Sequence, residues 1–153
     1  MGTMAHSNPS DAELKQLLTD ATTIAVVGAS SNPEKSSYGI MQKLQRVGYT
    51  VIPVNPREAE VLGEKAYASL SDVPVSVDIV DVFRRGEDTP PIAEEAIKIG
   101  AKAIWLQTGI FNEETAARAR SGGIVAVMDE CIGTVHSILR VPIKQPSRAS
   151  GPR

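Results

Sequence analysis

A chain of 153 residues with a formal net charge of -2 has room for one domain and lacks the basic field that binds nucleic-acid phosphates. Its 42% hydrophobic content includes only one Trp, three Tyr and two Phe, which predicts an aliphatic α/β core and leaves few platforms for stacking bases. No apolar run approaches the roughly 20 residues of a membrane span, the opening MGTMAHSNPS lacks a signal-peptide core, and a single cysteine, Cys131, excludes an internal disulfide or a multi-thiolate metal site; the expectation is a cytoplasmic protein without a metal or membrane role.

Residues 1–9 read as a flexible polar leader ahead of one domain over 10–143. Ser10-Asp11-Ala12-Glu13 has capping-box spacing, and Leu14, Leu17, Leu18 and Ala21 then recur at helical intervals, which predicts a helix over 11–20. A β-branched run over 23–29, TIAVVGA, reads as a strand buried on both faces. After the loop 30–36, Ile40, Met41, Leu44 and Val47 form one apolar stripe that Gly48 terminates, so a helix follows the first strand. Runs of the same buried character cover 50–54, 77–83, 103–107 and 124–128, and helical spacing covers 90–99 and 112–120, each of these stopped by glycine. Pro53 lacks an N–H for the ladder and places the second strand at an edge or a bulge. The link 55–75 is irregular, with Leu70-Ser71-Asp72 as one helical turn, and the tail 144–153, KQPSRASGPR, reads as a disordered basic segment. Strands alternating with helices predict an α/β fold: a mostly parallel five-stranded sheet with helices on both faces.

In such a sheet the ligand crevice lies beyond the carboxyl ends of the strands. After the first strand come Gly28, Ala29, Ser30 and Lys35, then Ser37 and Tyr38 at the start of a helix. A glycine, small residues, a cation and a helix N-terminus suit a phosphate, although a tight strand-to-helix turn has the same composition. Against the dinucleotide fingerprint, Ser30 and Pro33 stand where the second and third glycines belong, and the second strand ends Val54-Asn55-Pro56-Arg57 with no acidic residue for a ribose. NAD is therefore disfavoured, while Arg57 keeps NADP open.

Taken together, Val27-Gly28-Ala29-Ser30, Val51-Ile52-Pro53-Val54-Asn55-Pro56, Val80-Asp81-Val82-Phe83-Arg84-Arg85, Ile104-Trp105-Leu106-Gln107-Thr108-Gly109-Ile110 and Val127-Met128-Asp129-Glu130-Cys131-Ile132 resemble the CoA-binding proteins whose single domain is similar to the CoA-binding domain of the succinyl-CoA synthetase α subunit. The resemblance spans residues 24–136 and implies a Rossmann-like fold that holds coenzyme A. It implies that Gly28, Ala29, Ser30, Lys35, Ser37 and Tyr38 serve the phosphates and that Asn55 and Pro56 line the adenosine. Val82 and Phe83 then wall the pocket, Arg84 reaches a phosphate, and Gln107, Thr108 and Gly109 meet the pantetheine amides. Arg85 divides evenly between ligand and solvent.

Cys131 follows the fifth strand, where the thiol of CoA would approach it; a mixed disulfide competes there with an ordinary buried cysteine. Only His6 and His136 represent histidine, and neither has an acidic neighbour in sequence to orient it, so no catalytic constellation is evident. The expectation is a stand-alone binder of CoA or acyl-CoA with no nucleic-acid partner, and the alternative is an enzyme that uses NADP or an acyl-CoA.

Overall fold

Ser10 opens the first helix through a reciprocal cap: its hydroxyl accepts from the Glu13 N–H at 3.2 Å, and its own N–H donates to Glu13 Oε1 at 2.8 Å. In the computed structural model of the chain, which describes residues 6–144, this helix is α1, Asp11–Asp20, and it buries Leu14 and Leu18. There follow β1 (Thr23–Val27), α2 (Ser36–Arg46) and β2 (Thr50–Val54). A small antiparallel pair, β3 (Glu60–Val61) and β4 (Glu64–Lys65), and a 3-10 turn at Leu70–Asp72 occupy the irregular link. The chain then runs through β5 (Ile79–Val82), a 3-10 turn at Gly86–Asp88, α3 (Pro90–Lys98), β6 (Ala103–Leu106), α4 (Glu113–Ser121), β7 (Val125–Val127) and α5 (Ile132–Ile138).

The five predicted strands form one sheet in the order β2-β1-β5-β6-β7, and every neighbouring pair is parallel. Alternation along the strands divides the core in two. Ile24, Val26, Ile79, Trp105 and Val127 pack beneath α1, α2 and α5, while Ala25, Val80, Val82, Ile104 and Leu106 pack beneath α3 and α4. This is the α/β architecture with both faces covered, and the strands are apolar on both faces because neither meets water. Pro53 lies on the outermost strand, as its missing donor requires.

Three elements, β3, β4 and α5, had no sequence signal. The pair β3/β4 turns at Leu62 and Gly63, whose φ values of 50° and 82° suit a tight hairpin, but strands of two residues show no alternation. Helix α5 contains Gly133, Thr134 and Val135, all weak helix formers, and is held by burial of Ile132 and Val135 in the core. Strand ends are shorter than predicted where the chain bends into the crevice: β1 stops at Val27 and β5 at Val82. No helix among the described residues is long and apolar enough to cross a membrane.

The ends of the described chain are tied down. Asn8, in the expected leader, donates to the Met128 carbonyl at 2.8 Å and accepts from the Met128 N–H at 2.8 Å. Lys144, first residue of the expected tail, donates its N–H to the Val47 carbonyl at 2.9 Å and its ammonium to the Thr19 carbonyl at 2.6 Å. Residues 1–5 of the leader and 145–153 of the tail lie outside the described residues.

Candidate functional site

From β1 the chain moves to β2 on one side and then returns to β5 on the other, so a crevice opens above the carboxyl ends of β1 and β5. Gly28 and Phe83, the residues that follow these two strands, meet there. The Phe83 N–H donates to the Val27 carbonyl at 2.8 Å, and a Cβ added to Gly28 would lie 2.5 Å from the Phe83 carbonyl oxygen. Gly28 also has φ +90°. Sequence reasoning assigned this glycine to phosphate access, but the structure gives it a different necessity: no side chain fits against the neighbouring strand end. A bulky substitution at Gly28 therefore disturbs the fold before it reports on a ligand.

A cleft of two lobes extends from this point. The polar lobe, about 620 Å³, lies between Gly28, Ser30, Lys35 and Ser37 of the first loop and Asn55, Pro56 and Arg57 beyond β2. The second lobe, about 710 Å³, lies between Gln107, Thr108, Gly109 and Cys131 on one side and Arg85, Gly86 and Glu87 on the other, with Ile40 and Ile110 as apolar wall. Ser36, Phe83 and Arg84 border both lobes, so the two lie side by side along one groove.

Hydrogen bonds internal to the loops set this shape. Asn55 donates its amide to the Ala29 carbonyl at 2.8 Å and accepts from the Arg57 N–H at 2.9 Å, so it stitches the first loop to the second. Glu58 accepts from the Ser31 N–H at 3.0 Å. No side chain caps α2, whose Ser36 and Ser37 line the polar lobe, so its first N–H groups offer an anion unpaired donors and the positive end of the helix dipole. Lys35, Arg57 and Arg84 add charge at the same lobe, and none of them forms an ion pair among the described residues. Arg85, by contrast, pairs with Glu87 at 3.5 Å and Asp88 at 3.2 Å in an exposed cluster.

At the far end, Gln107 is buried and accepts from the Ile132 N–H at 3.1 Å, while Gly109, at φ +81°, donates to Asp129 Oδ1 at 2.7 Å. Trp105 Nε1 donates to the Glu130 carbonyl at 2.9 Å. Together these bonds hold the 129–132 segment over the end of β6 and present Cys131, half-buried, to the second lobe. Burial alone pushes the Cys131 thiol up, yet the hydroxyl and N–H of Thr134, the Gln107 amide and the Gly133 N–H outweigh it and hold the thiol below its ordinary range.

Of the residues singled out in the sequence, Gly28, Ser30, Lys35, Ser37, Asn55, Pro56, Phe83, Arg84, Gln107, Gly109 and Cys131 converge on the groove. Three do not line it. Val82 is fully buried in the core beneath α3 and α4, because alternation turns it away while Phe83 turns toward the cleft. Ala29 is fully buried and lends only its backbone, and Tyr38 lies one residue past the lining turn of α2. Ser36, Ile40, Glu87, Gly86 and Ile110 line the groove without having been singled out. Ile40 was legible only as part of a core stripe, and Gly86 is drawn in by the Asn112 amide, which donates to its carbonyl at 3.0 Å across 26 positions.

Residues 22–137 match the family described as CoA binding domain. The uncharacterized protein YneT of Bacillus subtilis is 41% identical over 133 residues, covering 87% of this chain and 98% of its own. A solved structure of a hypothetical protein from Pyrococcus horikoshii superposes with a TM-score of 0.85 at 36% identity, covering 92% of this chain and 99% of its own. An ADP-forming acetate–CoA ligase of Methanocaldococcus jannaschii is 32% identical over 103 residues, 67% of this chain, but the match spans only 14% of that ligase.

Proposed function

As the chain belongs to the CoA binding domain family, we propose that it holds coenzyme A in the groove, the phosphates in the polar lobe and the pantetheine arm in the lobe that ends at Cys131. The observation that carries this reading is the joining of the two lobes at Phe83 and Arg84. A ligand that is highly charged at one end and thiol-bearing at the other requires such a groove. The uncapped start of α2 and Lys35 answer the pyrophosphate, and Arg57 or Arg84 the 3′-phosphate. Ile40, Phe83 and Ile110 wall the pantetheine. Among the described residues the groove brings together no acid–base pair with a substrate position between its members, which favours a stand-alone binder over an acyl-CoA enzyme.

Thermal melting with a series of nucleotides tests the assignment. A ligand present at about 100 times its dissociation constant stabilises the folded state by about 2.7 kcal/mol. In a domain of this size CoA is then expected to raise the melting temperature by about 5 to 10 °C. Dephospho-CoA should shift it less, and NAD should leave it unchanged, because Asn55-Pro56-Arg57 offers no acid to the ribose. Arg57 lines the polar lobe and makes NADP the instructive control. Strong stabilisation by NADP with none by CoA would overturn the proposal in favour of an oxidoreductase.

A further inference from the structure

Beneath Cys131 lies a second group that the binding role leaves unexplained. Asp81 occupies the middle of β5, fully buried, and neither carboxyl oxygen has a hydrogen-bond partner. Register sets it between Val26 of β1 and Trp105 of β6, and therefore on the face covered by α2 and α5, the helix that Cys131 begins. Burial first, and then the charge of the Cys131 thiolate, push the Asp81 carboxyl well above the usual range, so the two groups sense one another. A carboxylate with no donor is a poor place for a negative charge in an apolar interior, whereas the sulfur has polar groups around it and access to the groove. Burial therefore disfavours charge on Asp81, and the sulfur is the member of the pair that reaches the groove.

We propose that Cys131 is a thiol-exchange site for oxidised coenzyme A: its thiolate attacks the sulfur–sulfur bond of CoA disulfide held in the groove, a Cys131–CoA mixed disulfide forms, and the second CoA leaves as a thiolate that takes its proton from water. The inference rests on the CoA reading of the groove. No oxidant beyond the CoA disulfide is required, since one disulfide is broken for each one formed. Exchange asks only for a thiolate and access. Acyl transfer from an acyl-CoA asks in addition for donors that stabilise an oxyanion, and the Gly109 N–H at this end of the groove already donates to Asp129.

The test uses the intact chain, reduced and then freed of reductant, in which Cys131 is the sole cysteine. Incubation with CoA disulfide is expected to add the mass of one CoA less two hydrogen atoms. The adduct should be released by dithiothreitol, be absent in Cys131→Ser, and form at least ~10-fold faster than the adduct from glutathione disulfide at equal concentration, because the bound reagent is held beside the sulfur. Reduced CoA in a parallel melt separates the two ideas. Stabilisation by reduced CoA with no adduct overturns the exchange site alone, while no stabilisation removes the CoA reading itself. Equal rates with the two disulfides, or a thioester adduct from acetyl-CoA in place of the disulfide, also overturn the exchange site.

Discussion

Gly28 shows how one residue serves a site through the fold. Its φ of +90° lies where side-chain-bearing residues are strained, and any Cβ would press on the Phe83 carbonyl oxygen 2.5 Å away. Left-handed strain of about 1 to 2 kcal/mol adds here to overpacking. Gly28→Ala is accordingly expected to destabilise by about 2 kcal/mol or more, a fall of at least ~5 °C in a thermal melt. An unchanged melting temperature would show that the junction of β1 and β5 yields more easily than its geometry indicates. Sequence pattern read this glycine as room for a phosphate, not as a demand of the fold. The contact that demands it comes from 55 positions downstream, beyond any local pattern. Asn55 teaches the same lesson from the other side: it was read as a ligand contact, and its carbonyl and one amide hydrogen hold two loops together.

At the scale of elements, the chain just past β7 is held by a side chain. The Asn8 amide presents one donor and one acceptor to the Met128 backbone, both at 2.8 Å, as a neighbouring strand's peptide group would. Losing both bonds is expected to cost about 1 to 3 kcal/mol in Asn8→Ala. Amide hydrogen exchange at Met128 should accelerate by about tenfold or more over that range. Exchange at Met128 unchanged from wild type would mean that this amide is protected by something else. Nothing in the leader's composition announced this bond, since its two ends lie 120 positions apart. Where a local period existed, prediction and structure agree closely: α1 covers Asp11–Asp20 as its capping box and leucine spacing require, and β2 covers the expected Thr50–Val54. Helix α5 was invisible because tertiary burial, not propensity, makes it a helix. The second lobe was legible in Gln107, Gly109 and Cys131 because each follows a strand. Ile40 was hidden because a helix residue that walls a groove obeys the same spacing as one in the core.

For the molecule as a whole, two buried titratable side chains tilt stability in opposite directions with pH. His136 packs edge-on against Tyr49 with ring centroids 5.9 Å apart, its Nε2 has no partner, and desolvation, then Lys43 and Lys144, hold its pKa below the ordinary value. The unfolded chain therefore binds a proton more readily, and stability is lost as pH falls below about 6.5. Asp81 is raised instead, so the unfolded chain releases a proton more readily, and stability is lost as pH climbs above about 3.9 toward the folded value. Each slope is at most about 1.4 kcal/mol per pH unit. Denaturant titrations at several pH values should find that wild type loses ground to His136→Gln on acidification and to Asp81→Asn on alkalinisation. Parallel pH curves for wild type and a variant would refute the assignment for that residue.

The groove is also assembled from residues as far apart as Gly28 and Cys131, because a sheet ordered β2-β1-β5-β6-β7 gathers strand ends that the chain visits one after another. During synthesis a nascent chain thus has no complete groove to offer until Cys131 has left the ribosome. Pairings this distant in sequence form late and slowly. A ligand that bridges both lobes can recognise only a finished domain, and the thiol that closes the groove is the last of its lining residues to be made.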